Sequence, residues 1–180
     1  MKKRNSVFIA TSLDGFIADK NGKIDWLNDI PNPDKSDLGF NKFITKIDAI
    51  IMGRKTFETV CGFDIDWPYK IPVFVLSNSL KQILKDYKDK AYLVKGSIKE
   101  IINKINEKGY YNLYIDGGTT VQSFLKEDVI DDLIITTIPI ILGEGVPLFN
   151  VLNDKLDFEL ISSEVYINQL VQSHYRRKRA

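Results

Sequence analysis

Short apolar runs alternate with amphipathic segments along the chain, a pattern typical of a largely parallel sheet whose strands are connected by helices. The run from Ala49 to Met52 is apolar at every position, as expected for a strand buried on both faces. Residues 98–108 instead carry isoleucines at helical spacing. The predicted strands comprise residues 6–11, 49–52, 73–76, 91–94, 113–115 and 133–141, and the predicted helices comprise residues 36–47, 54–60, 98–108 and a segment from Gly118 to about Leu125.

Two parts of the chain depart from this alternation. Residues 158–166 and 170–177 have the pattern of an antiparallel hairpin. Residues 13–35 form a long irregular segment, and a loop of that length inside a compact domain is usually functional. Ser36 is the predicted N-cap of the helix that follows. The expected fold class is therefore α/β: a three-layer fold with a central, mostly parallel mixed sheet, helices on both faces and a C-terminal antiparallel hairpin.

Composition limits the domain count and the function classes. A chain of 180 residues suits a single domain, here residues 1–180. Lys and Arg number 25 against 24 Asp and Glu, and this balance argues against a dedicated nucleic-acid binder. No apolar run reaches the roughly 20 residues that a membrane-spanning helix needs. The single cysteine, Cys61, cannot form an internal disulfide, so we expect a reducing, cytoplasmic location. His174 is the only histidine, and it lies in the last predicted strand. The sequence therefore argues against a Ser-His-Asp triad and against a metal site built from several histidines.

Two glycine-led turns follow predicted strands and open predicted helices. A helix N-terminus offers free N–H groups and the positive end of the helix dipole, which together favour an anion. Each turn alone is equally compatible with a surface cap or a tight turn, but two of them in one domain indicate a ligand with several phosphates, such as a dinucleotide. The turns are Gly53-Arg54-Lys55-Thr56 and Gly117-Gly118-Thr119.

These strand exits carry a family resemblance. The chain resembles the dihydrofolate reductase superfamily, and most closely its small bacterial branch, similar to the C-terminal reductase domain of the bifunctional riboflavin-biosynthesis deaminase/reductase. The resemblance implies a dihydrofolate-reductase-like fold and NADPH as the hydride donor. It covers the chain from about residue 6 to residue 150 through the stretches 12–18, 25–27, 48–58, 114–118 and 141–149.

The resemblance also implies residue roles at the coenzyme. Arg54 becomes the candidate for the 2′-phosphate that distinguishes NADPH from NADH, and residues 13–28 become a mobile loop over the nicotinamide. The implied cofactor-binding residues are Ala10 and Ile17 at the nicotinamide, Gly53, Arg54, Lys55 and Thr56 at the phosphates, Leu76, Ser77 and Asn78 at the adenosine half, and Gly117, Gly118 and Thr119 at the pyrophosphate.

The catalytic and substrate-binding residues are less defined than the coenzyme residues. Asp37 precedes Gly53 at an offset that resembles the substrate carboxylate of dihydrofolate reductases, and burial in an apolar pocket would raise its pKa. The alternative is that Asp37 is an acid at a helix start, where the dipole favours it. Asp14 is a second catalytic candidate, although Asp-Gly also simply makes turns. The implied substrate-binding residues are Ser12, Trp26 and Glu144.

The chain departs from the riboflavin branch in two ways. It has Gly-Arg-Lys-Thr in place of a Gly-x-Gly-Thr-type turn, and it has no following Asp-Asn-Pro. The expected function is an NADPH-dependent reductase that transfers a hydride to a C=N or C=O carbon of a pteridine or a ribosylaminopyrimidine. The alternatives are dihydrofolate-reductase-like activity and a non-catalytic NADPH-binding protein. We expect no metal, nucleic acid or membrane partner, and a homodimer in which the C-terminal hairpin offers a paired edge.

Overall fold

A computed structural model describes residues 3–179. It contains ten strands and four α-helices within that range, with 3-10 turns at Asp25–Asp29 and Lys85–Tyr87. The strands are β1 (Arg4–Thr11), β2 (Phe16–Asp19), β3 (Ala49–Gly53), β4 (Val73–Leu76), β5 (Ala91–Val94), β6 (Asn112–Asp116), β7 (Asp132–Thr137), β8 (Gly145–Pro147), β9 (Phe158–Tyr166) and β10 (Leu170–Arg177). The helices are α1 (Phe40–Ile44), α2 (Arg54–Cys61), α3 (Ile98–Glu107) and α4 (Gly118–Lys126).

Eight strands form one mixed sheet in the order β5-β4-β3-β6-β1-β7-β10-β9. The strands from β5 to β7 in that order pair in parallel, and the β9–β10 hairpin joins β7 in antiparallel orientation. The short strands β2 and β8 form a separate antiparallel ribbon. This topology confirms the predicted fold class. Because β3 and β6 are parallel neighbours, the two glycine turns that follow them lie side by side at the carboxyl edge of the sheet.

Helices pack on both faces of the sheet. On one face, α3 and α4 bury Ile101, Val121 and Phe124 against β1, β3 and β6. On the other face, α1 and α2 bury Phe43 and Phe57 against the same central strands. The strands β3 and β4 are therefore almost completely enclosed, which explains their continuous apolar sequences.

The predicted helix 36–47 is wrong at both ends, because α1 begins only at Phe40 and ends at Ile44. Leu38 and Gly39 both have positive φ, of 52° and 82°, which interrupts a right-handed helix. Ser36 does not cap this helix; its Oγ accepts a hydrogen bond from the Leu38 N–H at 3.3 Å. The Gln172 amide on β10 donates to the Leu38 carbonyl at 3.0 Å, so a distant contact holds this segment outside the helix.

The last parallel strand also differs from its prediction, since β7 ends at Thr137 rather than at 141. The Ile138 N–H still donates to the Thr11 carbonyl, but Pro139 has no N–H with which to continue the ladder. The long segment 13–35 is not wholly irregular, since it contains β2 and the Asp25–Asp29 turn. No helix of the described residues is long and apolar enough to cross a membrane.

The C-terminal hairpin is attached to the sheet by a buried carboxylate, Asp132 at the start of β7. Its side chain is 5% exposed and accepts from Arg4, from His174 at 2.7 Å and from Arg176 at 3.1 Å. Burial alone would raise the pKa of Asp132, but the bonds from His174 and Arg4 outweigh burial and lower the pKa to about 2. Asp132 therefore links β1, β7 and β10 electrostatically. The homodimer expected through the exposed edge strand β9 remains a prediction.

We expect Asp132 to stabilise the fold at neutral pH by about 2 kcal/mol. Because its folded-state pKa lies below its unfolded value, this contribution is complete above about pH 5 and is lost as the pH falls toward 2. Urea unfolding of the Asp132→Asn variant should therefore show lower stability at pH 7 and a flatter profile below pH 5. Asp154→Asn, which changes an exposed carboxylate, is the control. Identical profiles for Asp132→Asn and the native protein would contradict this assignment.

Candidate active site

A cleft of about 800 Å³ opens at the carboxyl edge of the sheet, above the ends of β1, β3, β4 and β6. It brings together every residue that the sequence analysis assigned to the coenzyme. These twelve residues are Ala10, Ile17, Gly53, Arg54, Lys55, Thr56, Leu76, Ser77, Asn78, Gly117, Gly118 and Thr119.

The two glycine turns interlock at the base of this cleft. Gly117 has a φ of +87°, and a Cβ built on it would lie 2.1 Å from the Thr56 Oγ1 at the start of α2. A Cβ on Gly53 would lie 2.8 Å from the Thr120 Oγ1 at the start of α4. The absence of both side chains therefore lets the N-termini of α2 and α4 approach each other. Their free N–H groups and dipoles face one shared space, which suits an anionic ligand.

Strand β2 forms one wall of the cleft beside these turns. A Cβ on Gly118 would lie 2.5 Å from the Ile17 Cδ1, so Ile17 packs directly on the start of α4. Ala18 and Leu27, from the same segment, also line the cleft. The predicted loop 13–28 thus supplies part of the wall, although much of it is held by pairing of β2 with β8.

Part of the cleft lining is polar. Arg54 lies in it with its guanidinium 3.4 Å from the Glu58 carboxylate, in an exposed pair. Ser77 and Asn78, which follow β4, and Ser97, the N-cap of α3, also belong to this polar part. Sequence reasoning missed Ser97 as a lining residue, although Ser97 and Glu100 form a capping box whose Ser-x-x-Glu spacing is visible in the sequence.

Another part of the cleft lining is apolar and aromatic. It consists of side chains from β1, from the end of α2 and from the segment that follows α2, including Phe8, Val60, Phe63 and Tyr69. Such a surface suits a planar ring, because aromatic side chains bury large areas against flat ligands. The cleft therefore offers both polar groups and apolar rings to a ligand.

Asp116 is a titratable group of the cleft that sequence reasoning did not select. It ends β6 directly before the second glycine turn, and its Oδ1 accepts from the Gly117 N–H at 2.8 Å. Burial raises the pKa of Asp116 to about 6, while interactions with the Tyr114 hydroxyl and the Gly117 N–H oppose part of that rise. A carboxyl with this pKa can donate a proton near neutral pH. The sequence did contain a signal for Asp116 as a site residue, because it stands at the end of a strand and immediately before Gly117-Gly118.

Asp37 lies outside the residues that line the cleft and is exposed to solvent. It accepts from the Asn41 N–H at 2.7 Å and from the Gly39 N–H at 3.0 Å. Hydrogen bonds from Asn41 and Gly39 lower the pKa of Asp37, whereas the sequence analysis expected burial to raise it. Asp37 therefore lies just before α1, whose N-cap is Gly39, and its carboxylate binds N–H groups at that helix start.

Asp14 and Ser12 also lie outside the lining of the cleft and form a connection between loops. The Ser12 hydroxyl donates to Asp14 at 2.6 Å, and Asp14 accepts from the N–H groups of Gly143 at 2.8 Å and Leu142 at 3.2 Å. These hydrogen bonds lower the pKa of Asp14, and the bond from the Ser12 hydroxyl contributes most. The carboxylate therefore holds the turn after β1 against the segment before β8.

The structure does not place Trp26 or Glu144 on the cleft either. Trp26 is 7% exposed and packs in a small apolar cluster with Ile138 and Leu170. Its indole N–H has no hydrogen-bond partner among the described residues. Glu144 is exposed and pairs with Lys20 at 2.7 Å. Neither residue touches the space that the coenzyme residues enclose.

Comparisons with known proteins agree with this geometry. Residues 6–172 match the family model described as RibD C-terminal domain. The uncharacterized protein YwjB of Bacillus subtilis is 35% identical over 181 residues, covering 98% of this chain and 99% of that protein. A putative riboflavin biosynthesis protein from Shewanella sp. PV-4 has a solved structure that is 54% identical, with a TM-score of 0.95 over 98% of this chain and 99% of that one.

A more distant structure shows the fold alone. Dihydrofolate reductase from Enterococcus faecalis, solved with NADP(H) and RAB-propyl, is 17% identical and has a TM-score of 0.67 over 98% of this chain and 97% of that one. The sheet order, the paired glycine turns and the match over residues 6–172 lead to the same conclusion. The chain belongs to the RibD C-terminal domain family, and its fold is that of dihydrofolate reductase.

Proposed function

We propose that the protein is an NADPH-dependent reductase that acts on a ribosylaminopyrimidine-type substrate. The observation that carries this proposal is the interlocked pair of glycine turns at adjacent strand ends, because they place two helix N-termini on one cleft. Membership of the RibD C-terminal domain family supports a reductase. The putative riboflavin biosynthesis protein of Shewanella sp. PV-4, at 54% identity, supports the substrate class.

The residues present fit a dinucleotide coenzyme. Cβ atoms at Gly53, Gly117 and Gly118 would collide with Thr120, Thr56 and Ile17, so the glycines are needed for the close packing that brings the two helix starts to one cleft. N–H groups at the starts of α2 and α4 would bind the pyrophosphate, with Lys55 beside them. Arg54 at the rim would bind the 2′-phosphate. When bound, NADPH supplies a hydride from C4 of its nicotinamide.

The apolar part of the cleft lining would hold the substrate ring. Phe8, Phe63 and Tyr69 offer apolar surface to a planar heterocycle and exclude water from it. Asp116, in its protonated form, would donate a proton to the nitrogen or oxygen of the C=N or C=O bond as its carbon is reduced. Most of the rate would come from holding donor and acceptor carbons in contact.

Loss of NADPH absorbance at 340 nm tests this function directly. The substrate panel should contain 5-amino-6-(5-phosphoribosylamino)uracil and dihydropteridines. We expect turnover with the aminopyrimidines. Turnover with dihydropteridines alone would favour dihydrofolate-reductase-like activity instead. Tight binding of NADPH without turnover on any compound would identify a non-catalytic binding protein, and absence of NADPH binding would refute the proposal.

Arg54→Ala should reduce the preference for NADPH over NADH by about 10-fold to 100-fold. The reason is that a charge-assisted hydrogen bond to the 2′-phosphate is worth roughly 1.5–3 kcal/mol, and NADH has no such phosphate. The ratio of dissociation constants for the two coenzymes, from fluorescence titration, measures the effect.

Lys108→Ala is the control for this substitution, since Lys108 is exposed just beyond the end of α3 and does not line the cleft. Its preference ratio should match that of the unmodified protein. If Arg54→Ala leaves the ratio of the NADPH and NADH dissociation constants unchanged, Arg54 does not bind the 2′-phosphate.

A further inference from the structure

A second cavity, of about 370 Å³, lies on the α1 face of the sheet and is separate from the coenzyme cleft. Its floor is formed by β1, β7, β10 and β9, and α1 forms one side. Among the described residues, α1 is the helix that lines this part of the sheet, so the cavity is an open groove between α1 and the C-terminal hairpin. We call it the hairpin groove.

Fixed cations project from the floor of the hairpin groove. Arg4 and Arg176 each use one nitrogen to bind the buried Asp132 carboxylate. Within residues 3–179, the other N–H groups of these two guanidinium groups have no protein acceptor. Asp132 therefore orients both side chains while leaving donors available to a ligand. The two arginine side chains are 26% and 37% exposed, so both are accessible from the groove while paired with Asp132.

The hairpin groove has an excess of positive charge. Two further cations, Lys42 and Lys46 on the α1 side, line it, and neither forms an ion pair among the described residues. The only carboxylates on its wall within that range are Asp132 and Glu164. Four permanent cations thus face two carboxylates, one of which is already occupied by Arg4, Arg176 and His174.

One side of the hairpin groove is aromatic. Phe8 and Phe43 stack with their ring centroids 4.9 Å apart and line the groove beside the cations. A ligand with an anionic group and a small apolar body would satisfy both parts of this surface.

We propose that the hairpin groove is a second ligand site, which binds a small aromatic or apolar oxyanion. The anionic group, a phosphate monoester or a carboxylate, would contact the free guanidinium N–H groups of Arg4 and Arg176, with Lys46 at the rim. The ring would pack on Phe8 and Phe43. Phe8 is the one lining residue that the hairpin groove shares with the coenzyme cleft, and the anion-binding groups of the groove do not line that cleft, so the proposal does not rest on the reductase function.

Isothermal titration calorimetry at low ionic strength tests this proposal with phenyl phosphate, benzoate and inorganic phosphate as probes. We expect saturable binding of phenyl phosphate or benzoate, and the tighter of the two identifies the anionic group. Inorganic phosphate should bind more weakly because it lacks the ring. The double variant Lys42→Ala/Lys46→Ala should weaken the tighter probe by about tenfold, at roughly 0.5–1 kcal/mol for each exposed cation.

The matched control is Lys104→Ala/Lys108→Ala, which removes two exposed lysines from the region of α3, on the opposite face of the sheet. It should bind the probe as the unmodified protein does, and so should Arg54→Ala. Arg176→Lys, which keeps a cation beside Asp132, should weaken binding without unfolding the chain. No saturable binding, equal losses in both double variants, or loss in Arg54→Ala would overturn the proposal.

Discussion

Gly117→Ala is expected to weaken NADPH binding by about 100-fold. Gly117 has a φ of +87°, where an L side chain costs roughly 1–2 kcal/mol, and the new methyl group would lie 2.1 Å from the Thr56 Oγ1. Relief of that contact moves the starts of α2 and α4 apart. One or two charge-assisted bonds to phosphate would then be lost, about 3 kcal/mol in total, which corresponds to about 100-fold. Fluorescence titration with NADPH measures the change.

Gly109→Ala separates the steric contact from the backbone strain. Gly109 has a similar φ of +92°, but a Cβ there would meet nothing within 4 Å, and it does not line the cleft. Both variants should unfold at lower urea concentration than the native protein, while only Gly117→Ala should lose NADPH affinity. If the two variants bind NADPH equally well, the interlocked turns do not hold the coenzyme.

Patterns within single elements were sufficient to predict most of the fold. The fully apolar run of β3 predicts a strand buried on both faces, and the isoleucine spacing of α3 predicts a helix with one buried face. Both predictions need only the residues of the element itself. The grouping of the twelve predicted residues in one cleft was also predictable, because parallel strands bring their carboxyl ends to one edge wherever the chain order places them. A motif at a strand exit therefore locates a site without any knowledge of side-chain packing.

Contacts between distant segments explain what the sequence did not predict. The strand β8 has only three residues and exists because β2 pairs with it. The start of α1 is delayed by a bond from Gln172 to the Leu38 carbonyl, which no local pattern records. Asp37 precedes this delayed helix start, and its carboxylate accepts a hydrogen bond from the Asn41 N–H in the first turn of α1.

Asp116→Asn is expected to reduce kcat by about 100-fold to 1,000-fold, the range for loss of a positioned general acid. Because burial raises the pKa of Asp116 to about 6, its protonated form is the major one only below that pH. In the native protein, kcat/KM should therefore fall about tenfold per pH unit above pH 6, and in Asp116→Asn this fall should disappear. Stopped-flow measurement of NADPH oxidation between pH 5 and 9 gives both profiles.

Stability distinguishes this catalytic role from a structural one. The folded-state pKa of Asp116 lies above its unfolded value, so stability falls as the pH rises from about 4 to about 6, and the full cost of the buried charge is present above that range. Asp116→Asn should thus be more stable than the native protein at pH 8, by about 3 kcal/mol, while being slower. Asp37→Asn is the matched control: its exposed carboxylate caps Asn41, so it should lose some stability and keep the native pH profile. A flattened profile in Asp37→Asn and a native one in Asp116→Asn would instead make Asp37 the proton donor.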